Sequence, residues 1–373
     1  MLTDLNLIPP ELGGGIEALV RRHQGQREDH MAFARAKVDI LDENFSGQVA
    51  SLLERTHYDP HIRGRLSRHV TQVFNVGADI VKALACVYKN GARRSVGLAS
   101  ADKALAALNA ATHFSTLSAK LNQLGWFVGP TLEVPAIRGK RVVREILTPD
   151  RYTVIHDPDD PLGPPVAAAW KWRVRGREMI VALDSEHYYY YNTSDTSEPQ
   201  WVVKHGVVDP EGEPCFPGTL WRFDVPTSPD DYFCRNRHRR VVEATIEVGA
   251  IASIMSMVRK SQNRKAIGLF GNLDRLTANT KLDPEKPLTM QVEEGDALPI
   301  FKVEDLNTPV EHFKAHIGLI FGQLIESFGL PQSAVTFDFG SDQGTLGGLE
   351  LQHERLSQLR NEQIPFAREA ELS

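Results

Sequence analysis

The sequence predicts an α+β protein, because helical periodicity dominates both ends of the chain and alternating, turn-punctuated sequence fills its middle. Apolar residues recur at helical spacing before residue 125 and again after residue 230. Between Trp126 and Phe223, short alternating runs are separated by Arg-Gly-Lys, Asp-Pro-Asp-Asp-Pro and Arg-Gly-Arg, which are hairpin signals. A chain of 373 residues, 42% apolar and 24% charged, is long enough for two or three domains with genuine cores.

Taken in order, Ile16 to Arg55 reads as helix, broken by Tyr58-Asp-Pro-His. A second helix covers Val70 to Cys86, with Val73, Val76, Ile80, Val81 and Leu84 on one stripe. A third runs from about Ala101 to Leu124 and stops at Gly125, a C-cap residue. Trp126 to Phe223 reads as five to seven antiparallel strands. Helix returns from Tyr232 to Gln262, with basic clusters at both ends and a middle, Val241 to Val258, that is apolar on nearly all sides. Such a helix needs burial all round. Its small residues Ala244, Gly249, Ala250, Ala252 and Ser253 permit close approach, either by neighbouring subunits or inside a monomer core. Ala266 to Lys302 reads as a compact αβ insertion, with strands near Leu288–Val292 and Leu298–Lys302. The helix from Pro309 to Phe328 carries Phe313, Ile317, Ile320, Phe321, Leu324 and Ile325 at helical spacing and ends before Pro331. A Gly-rich loop, Val335 to Gly348, leads to a polar helix from Leu349.

Composition and motifs narrow the chemistry. Lys and Arg number 42 against 48 Asp and Glu, so the net charge is −6. A protein that grips DNA usually carries a basic excess, which this one lacks, so if it handles DNA it guides the duplex past a neutral or acidic wall; the same charge fits any ordinary cytoplasmic enzyme. Cys86, Cys215 and Cys234 share no CxxC spacing, as expected of reduced thiols. No stretch has the length of a membrane span, and the first residues lack the pattern of a secretory signal, so a soluble cytoplasmic protein is expected. No P-loop, strand-borne GxGxxG or GxSxG elbow occurs. His312 and His316 have metal-ligand spacing, but Phe313 stands where a zinc protease needs Glu. His353 and Glu354 read as a plain polar pair. Asp157, Asp159 and Asp160 lack calcium-loop spacing and read as a solvated turn. Tyr188 to Tyr191 read as strand residues rather than a stacking platform for bases. Neither a metal nor a cofactor is expected, and the chain reads as no enzyme. A hydrolase-type enzyme whose site is assembled from residues distant in sequence is the alternative.

Several segments carry a resemblance. The stretch LNTPVEHFKAHIGLIFGQLIESFGLPQSAV, followed by GTLGGLELQHERLSQLRNEQI, resembles the C-terminal part of tailed-bacteriophage portal proteins. FNVGADIVKALACVYKNG is similar to an early portal helix. LNQLGWFVGPTLEV followed by LTPDRYTVIHD resembles the portal pattern of a helix leading into strands. The resemblance implies a wing over residues 1–230, β-rich from about 126, then a first stem helix over 231–262 and a clip over 263–302. A second stem helix would follow over 303–331, a tunnel loop over 332–348 and the start of a crown or wing helix over 349–373. Phe337, Asp338, Gly340, Gly344, Thr345, Gly347 and Gly348 would belong to the loop facing the DNA channel. Arg259, Lys260, Arg264 and Lys265 would rim it, or are ordinary solvated residues at a helix end. The resemblance further implies a homo-oligomeric ring, a dodecamer at one capsid vertex of the virion, assembled in the host cytoplasm. Double-stranded DNA would pass through it during packaging and genome ejection. The terminase large subunit, the major capsid protein and a head-completion adaptor would be its partners, with no membrane involved. Another ring-forming capsid or tail connector is the third reading.

Overall fold

The computed structural model describes residues 16, 18–20, 29–56, 64, 70, 75–85, 87–88, 94–95, 97–111, 113–138, 141–157, 160, 163–174, 176–225, 232–233, 237–262, 266–270, 300–304, 310–328 and 346–372. The protein mixes helix and sheet, an α+β fold. It divides into two compact units. The first comprises Met1–Asn44, Val76–Glu243 and Leu324–Ser373; the second comprises Phe45–Asn75 and Ala244–Gln323.

Among the described residues the first unit is built on eight antiparallel strands in two sheets, one more than the longest count expected from the sequence. β1 (Thr131–Arg138), β2 (Arg141–Leu147) and β8 (Thr219–Trp221) form one sheet, in the order β2-β1-β8. β3 (Tyr152–His156), β4 (Pro165–Val174), β5 (Arg177–Leu183), β6 (His187–Asn192) and β7 (Trp201–Lys204) form the other, in sequence order. The additional strand is β8, a short piece that returns to pair Trp221 with Thr131.

Alternation sorts the side chains of the five-stranded sheet onto two buried faces. Val154, Ala168, Trp170, Val181 and Leu183 pack with Leu132, Val134 and Leu147 of the smaller sheet. Their neighbours Ile155, Ala167, Ala169, Ile180, Ala182 and Tyr191 pack with Leu19 and Val20 instead. The smaller sheet is cross-braced by Glu133, which is 5% exposed. Its carboxylate accepts the Trp221 indole N–H at 2.8 Å and lies 2.7 Å from Arg144. Burial pushes the Glu133 pKa up, and Arg144 and Trp221 offset part of that rise.

Helices α1 (Asp29–Leu41), α3 (Val76–Leu84), α4 (Ala99–Ala111) and α5 (Phe114–Phe127) also belong to this unit. The expected helix from Ala101 to Leu124 is in fact two. His113 takes a left-handed φ of 52° between them, which turns Phe114 inward, where Arg94 and Arg144 stack over its ring at 4.0 and 4.1 Å. The long N-terminal helix is likewise interrupted, because Glu43 has a φ of 57° just after α1. Gly125 is not a cap. It lies inside α5, and a Cβ there would sit 2.8 Å from the Trp221 carbonyl oxygen. The stop falls at Gly129, whose φ is 132°. The buried Lys37 ammonium donates to the carbonyl of the cap residue Val128 at 3.2 Å, a cation at the negative end of α5.

The last helix, α8 (Leu346–Leu372), joins this unit through a buried polar relay. Gln363 donates to the Leu84 carbonyl at 2.9 Å and accepts from Asn122 at 3.3 Å, while Asn122 accepts the Val87 N–H at 3.2 Å. One turn further along than Ala367, Glu371 accepts from the Tyr88 hydroxyl at 2.6 Å and pairs with Arg94 at 2.5 Å.

The second unit contains α2 (Ser46–Thr56), α6 (Arg239–Gln262) from Ala244 onward, the paired strands β9 (Ala266–Phe270) and β10 (Ile300–Glu304), and α7 (Val310–Ser327) up to Gln323. Here the small residues of α6 serve an internal contact. A Cβ on Gly249 would sit 2.8 Å from Val49 of α2, so only glycine allows this crossing.

Replacing Gln363 by Leu strands the Leu84 carbonyl and the Asn122 amide. Urea denaturation should show a loss of about 1–3 kcal/mol, whereas an unchanged midpoint would dismiss the relay.

Candidate functional site

Two long helices flanking a small insertion are the feature to which the sequence directs attention. α6 has 24 residues and α7 has 18. Between them β9 pairs antiparallel with β10, from Ile300 against Phe270 to Glu304 against Ala266. The expected strand near Leu298–Lys302 corresponds to β10, whereas the one near Leu288–Val292 lies outside the described residues. α7 has the bounds that the periodicity predicts, to within a residue. α6 starts at Arg239 rather than Tyr232, because His238 adopts a left-handed φ of 58° and its carbonyl accepts the first helical N–H groups, from Val241 at 3.0 Å and Val242 at 3.3 Å. Tyr232 and Phe233, expected in that helix, instead pack with the sandwich core.

Neither helix is buried all round. On α6, Val241, Val242, Thr245, Val248, Gly249, Ala252 and Ser253 are buried, while Glu243 and Glu247 are exposed. Ile246, Ile251, Ile254, Met255 and Met257 are only half-buried. On α7, Ile317, Phe321, Leu324 and Ile325 are buried, Phe313 and Ile320 are half-buried, and Leu319 is 58% exposed. Each helix thus hides one stripe within the chain and leaves further apolar surface uncovered.

The start of α6 and the end of α7 meet in one aromatic cluster. The His238 ring lies 4.1 Å from the Trp126 ring, 5.8 Å from Phe127 and 6.1 Å from Phe328, centroid to centroid. Trp126 also meets Phe328 directly at 6.1 Å. Burial is the main reason that the His238 pKa falls to about 3, and the Arg237 and Lys37 cations push it further the same way. This imidazole is therefore a neutral packing element, and sequence gave no sign of it beyond a His among basic neighbours. His156 is similar: it faces Tyr232 at 4.1 Å, and burial lowers its pKa to about 4.

The residues expected at a channel fall as follows. Arg259 and Lys260 lie in the last turn of α6, while Arg264 and Lys265 lie outside the described residues. So do Phe337, Asp338, Gly340, Gly344 and Thr345. Gly347 and Gly348 are not loop residues but stand in the first turn of α8, which begins at Leu346 instead of Leu349. Among the other candidates, His316 lies 3.7 Å from Glu247, which links α7 to α6. Asp157 and Asp160 form a turn in which the Asp160 N–H donates to the Asp157 carbonyl. No group of three or more His, Cys, Asp and Glu among the described residues is placed to hold a metal ion. Nor is any described helix long and apolar enough to cross a membrane.

A separate cleft of about 900 Å³ opens on the first unit beside β7. Trp172, Tyr188, Tyr190 and Trp201 line it, with Glu145, Arg173, Lys204 and His205 as its charged and polar members. His205 is engaged at both ring nitrogens: Nδ1 accepts the Val207 N–H at 3.1 Å, so Nε2 donates to the Asp184 carbonyl at 3.2 Å. That pairing makes the ring a strut between β7 and the turn before β6.

Comparison with known protein families and with curated proteins finds no match for this chain.

The His238 cluster makes a pH prediction. Folded His238 stays neutral down to about pH 3, whereas the exposed side chain titrates near 6.5. Between those values the unfolded chain binds more protons, so stability rises with pH and is lost as pH falls from about 6.5. The melting temperature should drop on acidification through this range, and the variant His238→Phe, which keeps a ring but cannot titrate, should show a shallower drop. An identical slope in both proteins would contradict the placement.

Proposed function

We propose that the chain is the subunit of a viral portal ring, which occupies a capsid vertex and conducts double-stranded DNA during packaging and ejection. The observation that carries this reading is the helix–strand pair–helix order of α6, β9–β10 and α7, combined with apolar residues on both helices that the chain itself leaves half-covered. A ring of copies buries such surface by repetition: the same faces meet at every interface and no copy is left with an open side. Covering apolar surface is worth roughly 25 cal/mol for each Å², so even modest exposed stripes, repeated around a ring, favour closure.

The sequence resemblance supplies the rest of the proposal. The segment around β9 and β10 would be the clip, on which the terminase large subunit and later a head-completion adaptor dock. The first unit would be the wing, next to the major capsid protein. The segment before α8, with Gly340 and Gly344, would face the DNA, and the glycines would give its backbone freedom to move. The net charge of −6 agrees with a conduit. Strong phosphate contacts would hold the duplex by counterion release and oppose sliding. In this role the protein performs no bond chemistry and acts in the virion after assembly in the host cytoplasm.

Light scattering on the purified chain tests the proposal. It should report a closed oligomer of high mass, a dodecamer by resemblance. The variant Leu319→Glu, whose side chain is already 58% exposed, should keep its circular dichroism and melt normally but lose that mass. A monomer of the unaltered chain at micromolar concentration would overturn the ring.

A further inference from the structure

We infer that the cleft beside β7 takes an extended, acidic and apolar peptide of a partner protein, which adds a strand to the open edge of the five-stranded sheet. β7 is last in the strand order, and among the described residues no strand pairs with its outer side. All four of its residues are exposed, with Trp201 at 41%, Val202 at 49% and Val203 at 50%. An apolar edge of this kind is a template for strand addition.

The hydrogen-bond pattern shows which groups such a strand would meet. The His205 N–H donates to the Glu186 carbonyl, and Tyr188 stands opposite Val203. In an antiparallel ladder the pairs alternate, so the backbone groups of Val202 and Lys204 point away from β6, toward the open side.

The cleft offers places for alternate side chains of the incoming strand. The Tyr188 and Tyr190 rings are near-parallel, 22° apart in plane and 6.5 Å apart in centroid. Each has an upright wall: His205 stands edge-on to Tyr188 at 5.9 Å and Trp201 to Tyr190 at 6.1 Å. Two residues of extended chain advance about 6.6–6.8 Å, so apolar side chains two apart on the peptide meet both slots in step. A further feature selects the partner's chemistry. Arg173 and Lys204 are exposed at the cleft, neither makes a salt bridge among the described residues, and Glu145 is the one carboxylate among the lining residues. The site therefore carries a surplus of positive charge, which glutamates or aspartates on the peptide would neutralise.

This inference stands apart from the ring proposal, since every residue it uses belongs to the first unit. Fluorescence anisotropy tests it, with the full chain titrated against a fluorescein-labelled peptide alternating valine with glutamate. A valine–lysine peptide and a chitooligosaccharide serve as comparisons. The valine–glutamate peptide should bind, and the valine–lysine peptide should bind at least about tenfold more weakly. Val202→Pro removes the outward N–H yet leaves the bonds to β6, and it should cost about tenfold in affinity. The paired variant Arg173→Glu with Lys204→Glu, which leaves the backbone unaltered, should reverse the preference between the two peptides. Absence of binding, equal binding of both peptides or displacement by the oligosaccharide would overturn the inference. So would self-association of the chain that Val202→Pro abolishes, since that assigns the edge to a second copy.

Discussion

The cluster around His238 is the constraint on which much of the chain's organisation rests. Trp126 and Phe127 come from the end of α5, His238 from the residue before α6, and Phe328 from the residue after α7. Four rings thus fix where one long helix begins and where the other finishes, although His238 and Phe328 are 90 positions apart in the chain. The arrangement works only with an uncharged imidazole, because a proton on a ring so enclosed would have to be held without water. Nearby cations reinforce this: Lys37 is committed to the carbonyl that caps α5, and Arg237 pairs with Asp224 at 3.0 Å. Charge, capping and aromatic packing act together here, all among residues of the first unit.

With their ends anchored, the helices behave differently along their lengths than a fully apolar composition suggests. Gly249 is consumed by the crossing with α2, and Ser253 returns its hydroxyl to the Gly249 carbonyl at 2.7 Å, so the small-residue stripe has an occupant within the chain. What remains for neighbours is the adjoining surface of Ile246, Ile251, Ile254 and Met255, together with Leu319 on α7. That division supports the ring proposal in a narrower form than the sequence suggested: assembly would draw on the flanks of the helices, not on the glycine–alanine seam.

Much of this was legible beforehand, and the reasons are local. Strong periodicity located α7, and alternation with turn residues located the sheets, since each pattern is set by one face being buried. The misplacements share a cause. His113, His238 and Glu43 all take left-handed backbone conformations, which stay uncommon even for His, the type enriched there, and each breaks a helix that looked continuous. Gly125 shows the converse: it looked like a stop and proved to be a close approach to Trp221, a tertiary fact invisible to local sequence. The cleft was foreshadowed only by the Tyr188–Tyr191 run, whose odd and even members serve opposite faces of the sheet. Its partners Trp201 and Lys204 come from another strand, so their meeting depends on register. Of the residues expected at a channel, Gly347 and Gly348 joined a helix because Leu346 opens α8 one turn early.

The central claim is that the uncovered flanks of α6 and α7 are closed by copies of the same chain around an axis. Negative-stain electron microscopy of the purified protein examines this most directly. Class averages showing a ring with a central hole are the result this account predicts. Averages showing isolated compact particles, with no axis and no hole, would contradict it.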